Sequence, residues 1–406
     1  MSENLSPNEK AIRRLLKNKP ALVGLGLIVF SIFVAVLGYA ISPDSTPNTN
    51  DQLATIALKQ PGFEVKMLKI RKNRMVDERF FFGKMLFGSE SAFDFLPINN
   101  YTIEGDSIKV ERYAGENPET GQILKGRSQS FHLIDITFAI NIDKAPIEKR
   151  GNNYAFFDLK NEKIVTNTEG VIKAVENQIS TKKFYLGTDN FGRDILSRLI
   201  LGVRISLLVG LIAVVISLTI GILLGALAAY FGGKVDDFIM LIINTVWSIP
   251  TILLVFAIVL AFGRGIGIIF LAVGLTMWVD VARLVRGQVL SLKEIAFVEA
   301  AQSMGFSTAR ILMRHILPNI LGPVMVVAAS NFATAILIES GLSYLGFGIQ
   351  PPTPSWGTML YENYGYAIGG KPFLALVPAL AIMLMVLAFN LVGNGFRDAL
   401  DVKSKD

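Results

Sequence analysis

The polar segment formed by residues 299–318, EAAQSMGFSTARILMRHILP, lies between two long apolar stretches and holds the most suggestive grouping of side chains in the sequence. It begins with a single carboxylate, Glu299, and on the helix predicted here Ala296, Ala300 and Met304 share a face beside that carboxylate. Alanines present a smooth surface on which another protein can pack closely, and one carboxylate across such a contact can pair with a basic group and fix the register. The segment therefore predicts a docking contact. A helix resting on lipid headgroups is the alternative, although the segment is less amphipathic than such a helix should be.

Catalytic, redox and metal chemistry find no support in the sequence. The chain has no cysteine, which excludes thiol catalysis, disulfides and thiolate metal sites. Its two histidines, His132 and His315, are far apart and fit no metal-ligand spacing. No G-x-x-x-x-G-K-[ST] motif is present to cradle nucleotide phosphates. We therefore expect no catalytic residue, no metal or cofactor bound by this chain, and no enzyme activity of its own.

The polar segment itself predicts two short helices beside the membrane. SLKEIAFVEAAQSM is a good helix former without glycine or proline, and Gly305 breaks the run. Ser307 can cap a second helix, STARILMRHIL. Pro318 ends that helix or opens the next crossing, since proline is tolerated in a first turn.

The composition predicts a membrane protein. Hydrophobic residues make up 51% of the chain and charged residues only 18%, below the roughly 25% of a soluble globular domain. The net charge of +6 comes from lysines and arginines that cluster beside apolar stretches, which favours a cytoplasmic-side charge bias over binding of nucleic acid. Candidate crossings lie at residues 21–41, 205–231, 238–262, 266–281, 320–345 and 373–392. The predicted fold class is mostly α, a polytopic membrane protein with about six transmembrane helices and both termini in the cytoplasm.

A region of different character separates the first two crossings. DSIKVERYAG and FHLIDITFAINID alternate apolar and polar residues, the period of a half-buried strand, and FFDLKNEKIVTNTEG is typical of a hairpin. We predict an inserted extracytoplasmic domain, β-rich or α+β. The predicted organisation is a cytoplasmic N-terminus (1–20), a first transmembrane helix (21–41), the inserted domain (42–183), a five-helix core (184–392) with a cytoplasmic loop (282–318), and a cytoplasmic C-terminus (393–406).

Small residues recur at four-residue spacing in the second crossing, at Gly221, Gly225 and Ala229. Lipid provides little hydrophobic drive for helices to associate, so association relies on backbones approaching closely over small residues. The spacing predicts a helix–helix seam, and a glycine-rich composition without a specific seam is the alternative.

Four residues in or near the crossings are candidates for lining a passage through the membrane: Asn244, Trp247, Asp280 and Glu339. Ionisable residues within spans are functional candidates by default, and both acids fall near span ends that water can reach. Pro250 predicts a kink just after Asn244 and Trp247. Helix packing or interface anchoring explains each of the four equally well.

Four stretches resemble importer-type ABC transporter permeases of the oligopeptide, dipeptide and nickel branch. EAAQSMG, followed after nine residues by HILP, is similar to the EAA loop of that family, with His315 where the general form has isoleucine. LGTDNFGRDILSRLILGVRISLLVG, ESGLSYLGFGIQPPTPSWGTML and NLVGNGFRDALD resemble the start of the second crossing, the outer segment between the fifth and sixth, and the C-terminal ending. The resemblance covers roughly residues 184–401 and the first crossing. It does not extend to residues 42–183, where the family usually has a few dozen residues.

The resemblance implies a function and a set of partners. It implies a permease that translocates di- or oligopeptides across the bacterial cytoplasmic (inner) membrane, with a homologous second permease, two ATPase subunits, an extracytoplasmic substrate-binding protein and membrane lipid as partners. ATP and Mg²⁺ would be bound by the ATPase subunits. In the coupling loop Glu299 would set the contact, Ala300 and Ala301 would allow close approach, Gly305 would make the bend, and Pro318 would close the loop. Import of nickel or another small solute, an ion-coupled secondary transporter, and a membrane-anchored sensor or enzyme are the alternatives.

Overall fold

The computed structural model describes residues 7–76, 79–117, 120–141 and 143–400. The chain forms two compact units. The helical unit consists of Met1–Val36, Gly202–Glu362 and Ala375–Asp406, and the sheet unit consists of Leu37–Leu201 and Asn363–Leu374. The sheet unit is larger than the insertion predicted at residues 42–183, because it also includes residues 37–41, 184–201 and 363–374, which contain the ends of three membrane helices. Parts of the two predicted terminal segments, residues 1–6 and 401–406, lie outside the described residues.

The elements follow one another along the chain in a helix–sheet–helix order. The helices are α1 (Pro7–Lys17), α2 (Lys19–Ile41), α3 (Phe81–Phe87), α4 (Leu133–Thr137), α5 (Thr168–Asn177), α6 (Ile195–Phe231), α7 (Gly233–Trp247), α8 (Thr251–Phe262), α9 (Ile266–Lys293), α10 (Ala296–Ser303), α11 (Thr308–Ile311), α12 (Leu317–Tyr344), α13 (Trp356–Ile368) and α14 (Phe373–Leu400). The strands are β1 (Phe63–Arg71), β2 (Phe93–Glu104), β3 (Ser107–Arg112), β4 (Ser128–His132), β5 (Glu148–Arg150), β6 (Asn153–Phe157), β7 (Lys163–Asn167) and β8 (Ile179–Phe184).

Among the described residues, five helices are long and apolar enough to cross a membrane: α2, α6, α9, the continuous helix Thr308–Tyr344, and α14. Helices α7 and α8 meet at a bend of 90° and make a sixth span if the bent pair is one crossing. The prediction of about six transmembrane helices is confirmed, and the kink predicted at Pro250 in the crossing at residues 238–262 is present as this bend. The chain breaks at Pro250, which directly precedes α8 and has no N–H to continue the hydrogen bonding of α7.

Other helix bounds also differ from the predicted ones. Helix α14 continues to Leu400, so most of the segment predicted as a C-terminal tail is helical. Helices α1 and α13 have no counterpart among the predicted elements. Helix α13 was missed because the proline-rich PPTPS stretch before it is typical of irregular structure.

The predicted seam of small residues is present between α6 and α9. A Cβ atom placed on Gly221 would lie 2.5 Å from Cβ of Val281, and one placed on Gly225 would lie 3.0 Å from Cβ of Val285. Only glycine allows the two helices to approach this closely. Ala229, one turn further on, is buried in a core cluster that also holds Val281 and Val285.

The sheet unit is built on an antiparallel sheet in which the strand order is β4-β3-β2-β1-β8. Strands β1 to β4 pair with their sequence neighbours, whereas β8 returns over a long connection to pair with β1, with Leu68 opposite Ile179. A second sheet, β5-β6-β7, and helices α4 and α5 contribute to the same core. The unit is therefore α+β, in agreement with the predicted class.

The alternating stretch FHLIDITFAINID is only partly a strand. Phe131 and His132 end β4, and α4 begins at the next residue. Nδ1 of His132 accepts a hydrogen bond from the N–H of Ile134 at 3.3 Å, which caps the new helix. The strand predicted over the whole stretch is therefore wrong beyond His132, whereas strand β3 and the β6–β7 hairpin lie where they were predicted.

Candidate functional site

Helix α10 forms the first part of the polar segment and ends in a hydrogen-bonded turn at Gly305. Gly305 has φ +75°, in the left-handed region that favours glycine. Its N–H donates to the carbonyl of Gln302 at 2.9 Å, and the N–H of Phe306 reaches back to the carbonyl of Ala301 at 3.2 Å. These two bonds satisfy the last carbonyls of the helix in the manner of a Schellman turn. The helix end predicted at Gly305 is confirmed.

One face of α10 is buried against other helices of the chain. Val298 and Ala301 belong to a core cluster with residues from α6, α9 and the helix that follows α10, among them Ala229, Val285, Val289, Ile311 and Ile316. Ala301 is only 1% exposed. It therefore does not lie on the docking surface predicted for it. Its small side chain instead allows α10 to pack closely on this core.

The opposite face of α10 is exposed, and we call Ala296, Glu299, Ala300, Ser303 and Met304 the outer face of α10. Glu299 lies in the first turn, where the helix dipole favours a carboxylate. No ion pair joins it to another residue that the structure describes. The outer face thus combines one uncompensated charge with small and apolar side chains, the composition predicted for a docking contact.

The second predicted short helix is the beginning of a much longer one. Ser307 occupies the N-cap position of α11, but its side chain makes no capping hydrogen bond. Helix α11 and one π-helical turn, Leu312–Ile316, lead directly into α12. Pro318 lies in the first turn of α12, and the wide π-helical turn before it makes room for a ring that cannot donate to the carbonyl of Arg314. The turn at Gly305 is consequently joined to a membrane-spanning helix without a break.

His315, which departs from the general form of the EAA loop, packs against the turn after α10. Its ring stacks on Phe306 with centroids 5.9 Å apart and planes at 17°. Cζ of Arg310 lies 4.6 Å from the centroid of the same phenyl ring. The imidazole therefore helps to fix the residue that directly follows Gly305.

Polar contacts also join the ends of α6 and α7 to α9. Nε and Nη2 of Arg286 on α9 each donate to one carboxylate oxygen of Asp236 on α7 at 2.6 Å. Nζ of Lys293 donates to the carbonyl of Tyr230, near the end of α6, at 2.9 Å. Bidentate arginine–carboxylate pairs have a fixed relative geometry. The helices around α10 are therefore tied together at the end where α10 attaches.

Two of the four candidate passage residues lie together. Nη2 of Arg283 on α9 donates to Oδ1 of Asn244 at 2.7 Å, and Cζ of Arg283 lies 3.9 Å from the ring centroid of Trp247. Asp280 is exposed one turn earlier on α9, without a hydrogen bond to either. Arg283 was not among the residues predicted from the sequence, although an arginine that follows an apolar run was an available signal.

Glu339 is fully buried, so the expectation that water reaches it is wrong. Its Oε1 accepts a hydrogen bond from Oγ of Ser343 at 2.7 Å. Oγ of Ser343 in turn accepts a hydrogen bond from the N–H of Ile349 at 3.2 Å. Oγ1 of Thr358 on α13 donates to the carbonyl of Ile349 at 2.9 Å. The carboxyl thus fixes the segment that connects α12 to α13. Within this chain it does not line an open passage.

A buried ion cluster that was not predicted from the sequence lies at the start of α6. Nε of Arg193 lies 2.6 Å and Nε of Arg198 lies 3.7 Å from Oδ2 of Asp189. Asp194 accepts hydrogen bonds from the N–H and hydroxyl of Ser197, and burial raises the pKa of its carboxyl. The cluster fixes the start of α6. Among the residues that the structure describes, no group of three or more histidine, aspartate or glutamate side chains could hold a metal ion.

Comparison with known proteins gives matches at both ends of the chain. Residues 221–405 match the family model described as binding-protein-dependent transport system inner membrane component, and residues 6–61 match the N-terminal TM domain of oligopeptide transport permease C. The oligopeptide transport system permease protein OppC of Bacillus subtilis is 40% identical over 55% of this chain and 73% of its own length. The glutathione transport system permease protein GsiD of Pectobacterium atrosepticum (43%; 56% and 76%) and the dipeptide transport system permease protein DppC of Alkalihalophilus pseudofirmus (43%; 54% and 72%) are similar to the same extent. Among solved structures, a chain of the inward-facing MetNI methionine ABC transporter is 22% identical, with a TM-score of 0.41, over 50% of this chain and 96% of that one.

Proposed function

Because the chain belongs to the family of binding-protein-dependent transport system inner membrane components, we propose that α10 is the element through which separate ATPase subunits drive its movements. The chain is a multi-pass inner-membrane permease subunit of an ABC importer for peptides or related compounds. The proposed complete importer adds a homologous second permease, two ATPase subunits that bind ATP and Mg²⁺, and an extracytoplasmic binding protein. Both termini are proposed to lie in the cytoplasm.

Peptides are the proposed substrate class. The names of the relatives support this, since they are permeases of oligopeptide, dipeptide and glutathione transport systems. The choice among peptides is assigned to the extracytoplasmic binding protein.

The observation that carries the coupling proposal is the division of α10 into two faces. Val298 and Ala301 bind α10 to the chain's own core, while Glu299 and Ala300 point away from it. A helix buried on both faces could not bind an ATPase subunit. A helix exposed on both faces could not transmit the movement of that subunit to the membrane helices. Glu299 sets the contact with a basic group of the ATPase subunit, and Ala300 allows the two surfaces to approach closely.

Movement of α10 passes to the membrane through two covalent connections. On one side α10 follows α9 after a short break at Glu294 and Ile295, and on the other the turn at Gly305 leads into the continuous helix Thr308–Tyr344. Contacts between α6, α7 and α9 make these helices respond together. ATP binding and hydrolysis bring the ATPase subunits together and apart, and the permease shifts between outward- and inward-facing states whose populations the nucleotide biases.

The test exchanges the charge of Glu299 and uses a matched acid as control. Glu299→Lys replaces an attractive contact by a repulsive one, which costs several kcal/mol across a close interface and corresponds to roughly a hundredfold or greater loss of affinity. Glu169→Lys makes the same change at another exposed acid in the first turn of a helix, α5 in the sheet unit. The readouts are retention of ATPase subunits during purification in mild detergent and uptake of a labelled peptide mixture by cells.

We expect Glu299→Lys to insert normally, to lose the ATPase subunits and to abolish uptake, while Glu169→Lys behaves as the unaltered protein. Undiminished uptake by Glu299→Lys at normal expression contradicts the coupling role. Transport by the purified chain alone, without any ATP-hydrolysing subunit, contradicts the importer assignment and favours an ion-coupled carrier.

A further inference from the structure

A group of exposed phenylalanines in the sheet unit takes no part in the coupling described above. Phe80, Phe81, Phe82 and Phe87, which we call the phenylalanine cluster, are each between 57% and 73% exposed. The ring of Phe82 contacts those of Phe80 and Phe81, with centroids 5.6 and 5.5 Å apart. Neighbouring exposed aromatic rings form a continuous apolar patch, and such a patch marks a surface that another apolar phase covers.

The cluster is fixed to the end of a membrane-spanning helix. Gly88, the residue after Phe87, packs on Tyr39 so closely that a Cβ atom there would lie 2.8 Å from Cε1 of the tyrosine. The next residue, Ser89, donates its N–H to the carbonyl of Ser45 at 3.0 Å. Tyr39 lies two residues before α2 ends at Ile41, within the sheet unit. The C-terminus of α3 is therefore held against the last turn of α2.

The length of α2 places this contact at the membrane surface. Its 23 residues extend about 34 Å at about 1.5 Å per residue, somewhat more than the hydrocarbon thickness of about 30 Å. The last turn of α2 thus lies where the acyl chains meet the headgroups. Helix α3 has seven residues and is about 10 Å long, so the whole cluster lies within about that distance of the same level.

The charges beside the cluster suit this position. Nη1 of Arg79 donates to the carbonyls of Phe87 and Gly88 at 3.1 and 3.2 Å, so the guanidinium satisfies the end of α3 on one side of the patch. Lys84 lies between the phenylalanines in sequence and is exposed. A lysine can extend its ammonium group towards phosphate while its methylenes stay among apolar chains. Aromatic side chains flanked by basic ones are typical of segments that lie in the membrane interface.

We propose that the phenylalanine cluster inserts among the lipids of the outer leaflet beside the end of α2 and anchors the sheet unit to the membrane surface. The occupant of this patch is lipid, because the covalent and packing connection to α2 leaves the cluster at the level of the bilayer surface. The proposal depends on α2 crossing the membrane and is independent of the coupling role of α10.

The absence of native cysteine allows a direct test. Phe81→Cys and, separately, Phe87→Cys are labelled with a bimane fluorophore in the full chain, co-purified with its partner subunits and placed in vesicles of phosphatidylcholine and phosphatidylglycerol. Val165→Cys is the control, because Val165 is an apolar residue of the same unit that is 62% exposed on β7. Each label is exposed in turn to spin-labelled lipid, which quenches from within the bilayer, and to iodide, which quenches from water.

We expect the labels at positions 81 and 87 to be quenched by spin-labelled lipid and protected from iodide, and the label at 165 to show the reverse. Iodide quenching at 81 and 87 as strong as at 165 overturns the proposal. Protection of both positions from both quenchers also overturns it, since a protein subunit then covers the patch. If these variants lose transport but show the expected quenching by lipid and protection from iodide, the result counts against the proposed function and still supports the membrane anchor.

Discussion

Substituting leucine separately at Ala300 and Ala301 distinguishes the two faces of α10. The residues are neighbours in the sequence and have the same side chain. Ala301 is 1% exposed within a closed core cluster, whereas Ala300 is exposed. Leucine adds three carbon atoms, for which the core around Ala301 has no space. Overpacking of this kind lowers the free energy of unfolding by about 1–3 kcal/mol.

At Ala300 the same change has little effect on folding. Leucine and alanine have similar helix propensities, and an exposed substitution changes the free energy of unfolding by no more than about 0.5 kcal/mol. Its effect falls on docking, because the added carbons keep the partner surface at a distance. An equivalent overpacking penalty of about 1–3 kcal/mol corresponds to a roughly five- to 150-fold loss of affinity for the ATPase subunit.

The assay measures both quantities on each variant. Thermal unfolding in detergent is followed by the loss of monodisperse protein, and coupling by retention of ATPase subunits and by uptake. Ala301→Leu should unfold at a temperature several degrees lower, and Ala300→Leu should unfold normally but lose its ATPase subunits. The reasoning is refuted if Ala300→Leu is the less stable variant, or if Ala301→Leu unfolds normally and Ala300→Leu keeps its ATPase subunits.

Two further predictions concern the α6–α9 seam and a hydrogen-bonded carboxylate in the sheet unit. Gly225→Ala should destabilise the protein by about 1–3 kcal/mol, because its Cβ would meet α9, whereas Gly287→Ala, where a Cβ meets nothing within 4 Å, should be neutral or stabilising; equal thermal unfolding of the two variants would contradict the α6–α9 seam. Hydrogen bonds from Lys149 and Tyr154 lower the pKa of Asp106 below its ordinary value of 3.8. The folded state therefore gains stability that is complete above pH 3.8 and is lost as pH falls through the lowered pKa. Thermal unfolding of Asp106→Asn across this range should show a weaker dependence on pH than that of the unaltered chain, and an unchanged dependence would contradict the assigned cause.

Local patterns predicted the elements whose cause is itself local. The helix-forming run before Gly305, the left-handed turn at that glycine, and the break at Pro250 follow from backbone conformations that those residue types favour or forbid. The bilayer thickness fixes the length of apolar runs, so about six crossings could be counted from the sequence. The spacing of Gly221 and Gly225 predicted a seam, although not that α9 was the partner.

Errors arose where the burial of a side chain depends on distant parts of the chain. FHLIDITFAINID has the period of a strand, but a core formed by two sheets and α5 buries a short helix there instead. Glu339 was placed near water because it lies near the end of an apolar run, yet Ser343 and the segment after α12 enclose it. The order of the main sheet depends on β8 pairing with β1 from more than a hundred residues away, and no local pattern encodes that register.

By itself the sequence determined that the chain crosses a membrane several times and that its polar segment contains a helix ended by glycine. It also carried the resemblance to importer permeases. Helical periodicity placed Ala300 on one face with Ala296 and Met304, but only the tertiary structure decided that the neighbouring Ala301 is buried, in a core cluster with residues of α9 and α11. The physical reason is that propensity and hydrophobic periodicity act over a few residues, whereas burial is set by neighbours that only folding brings together.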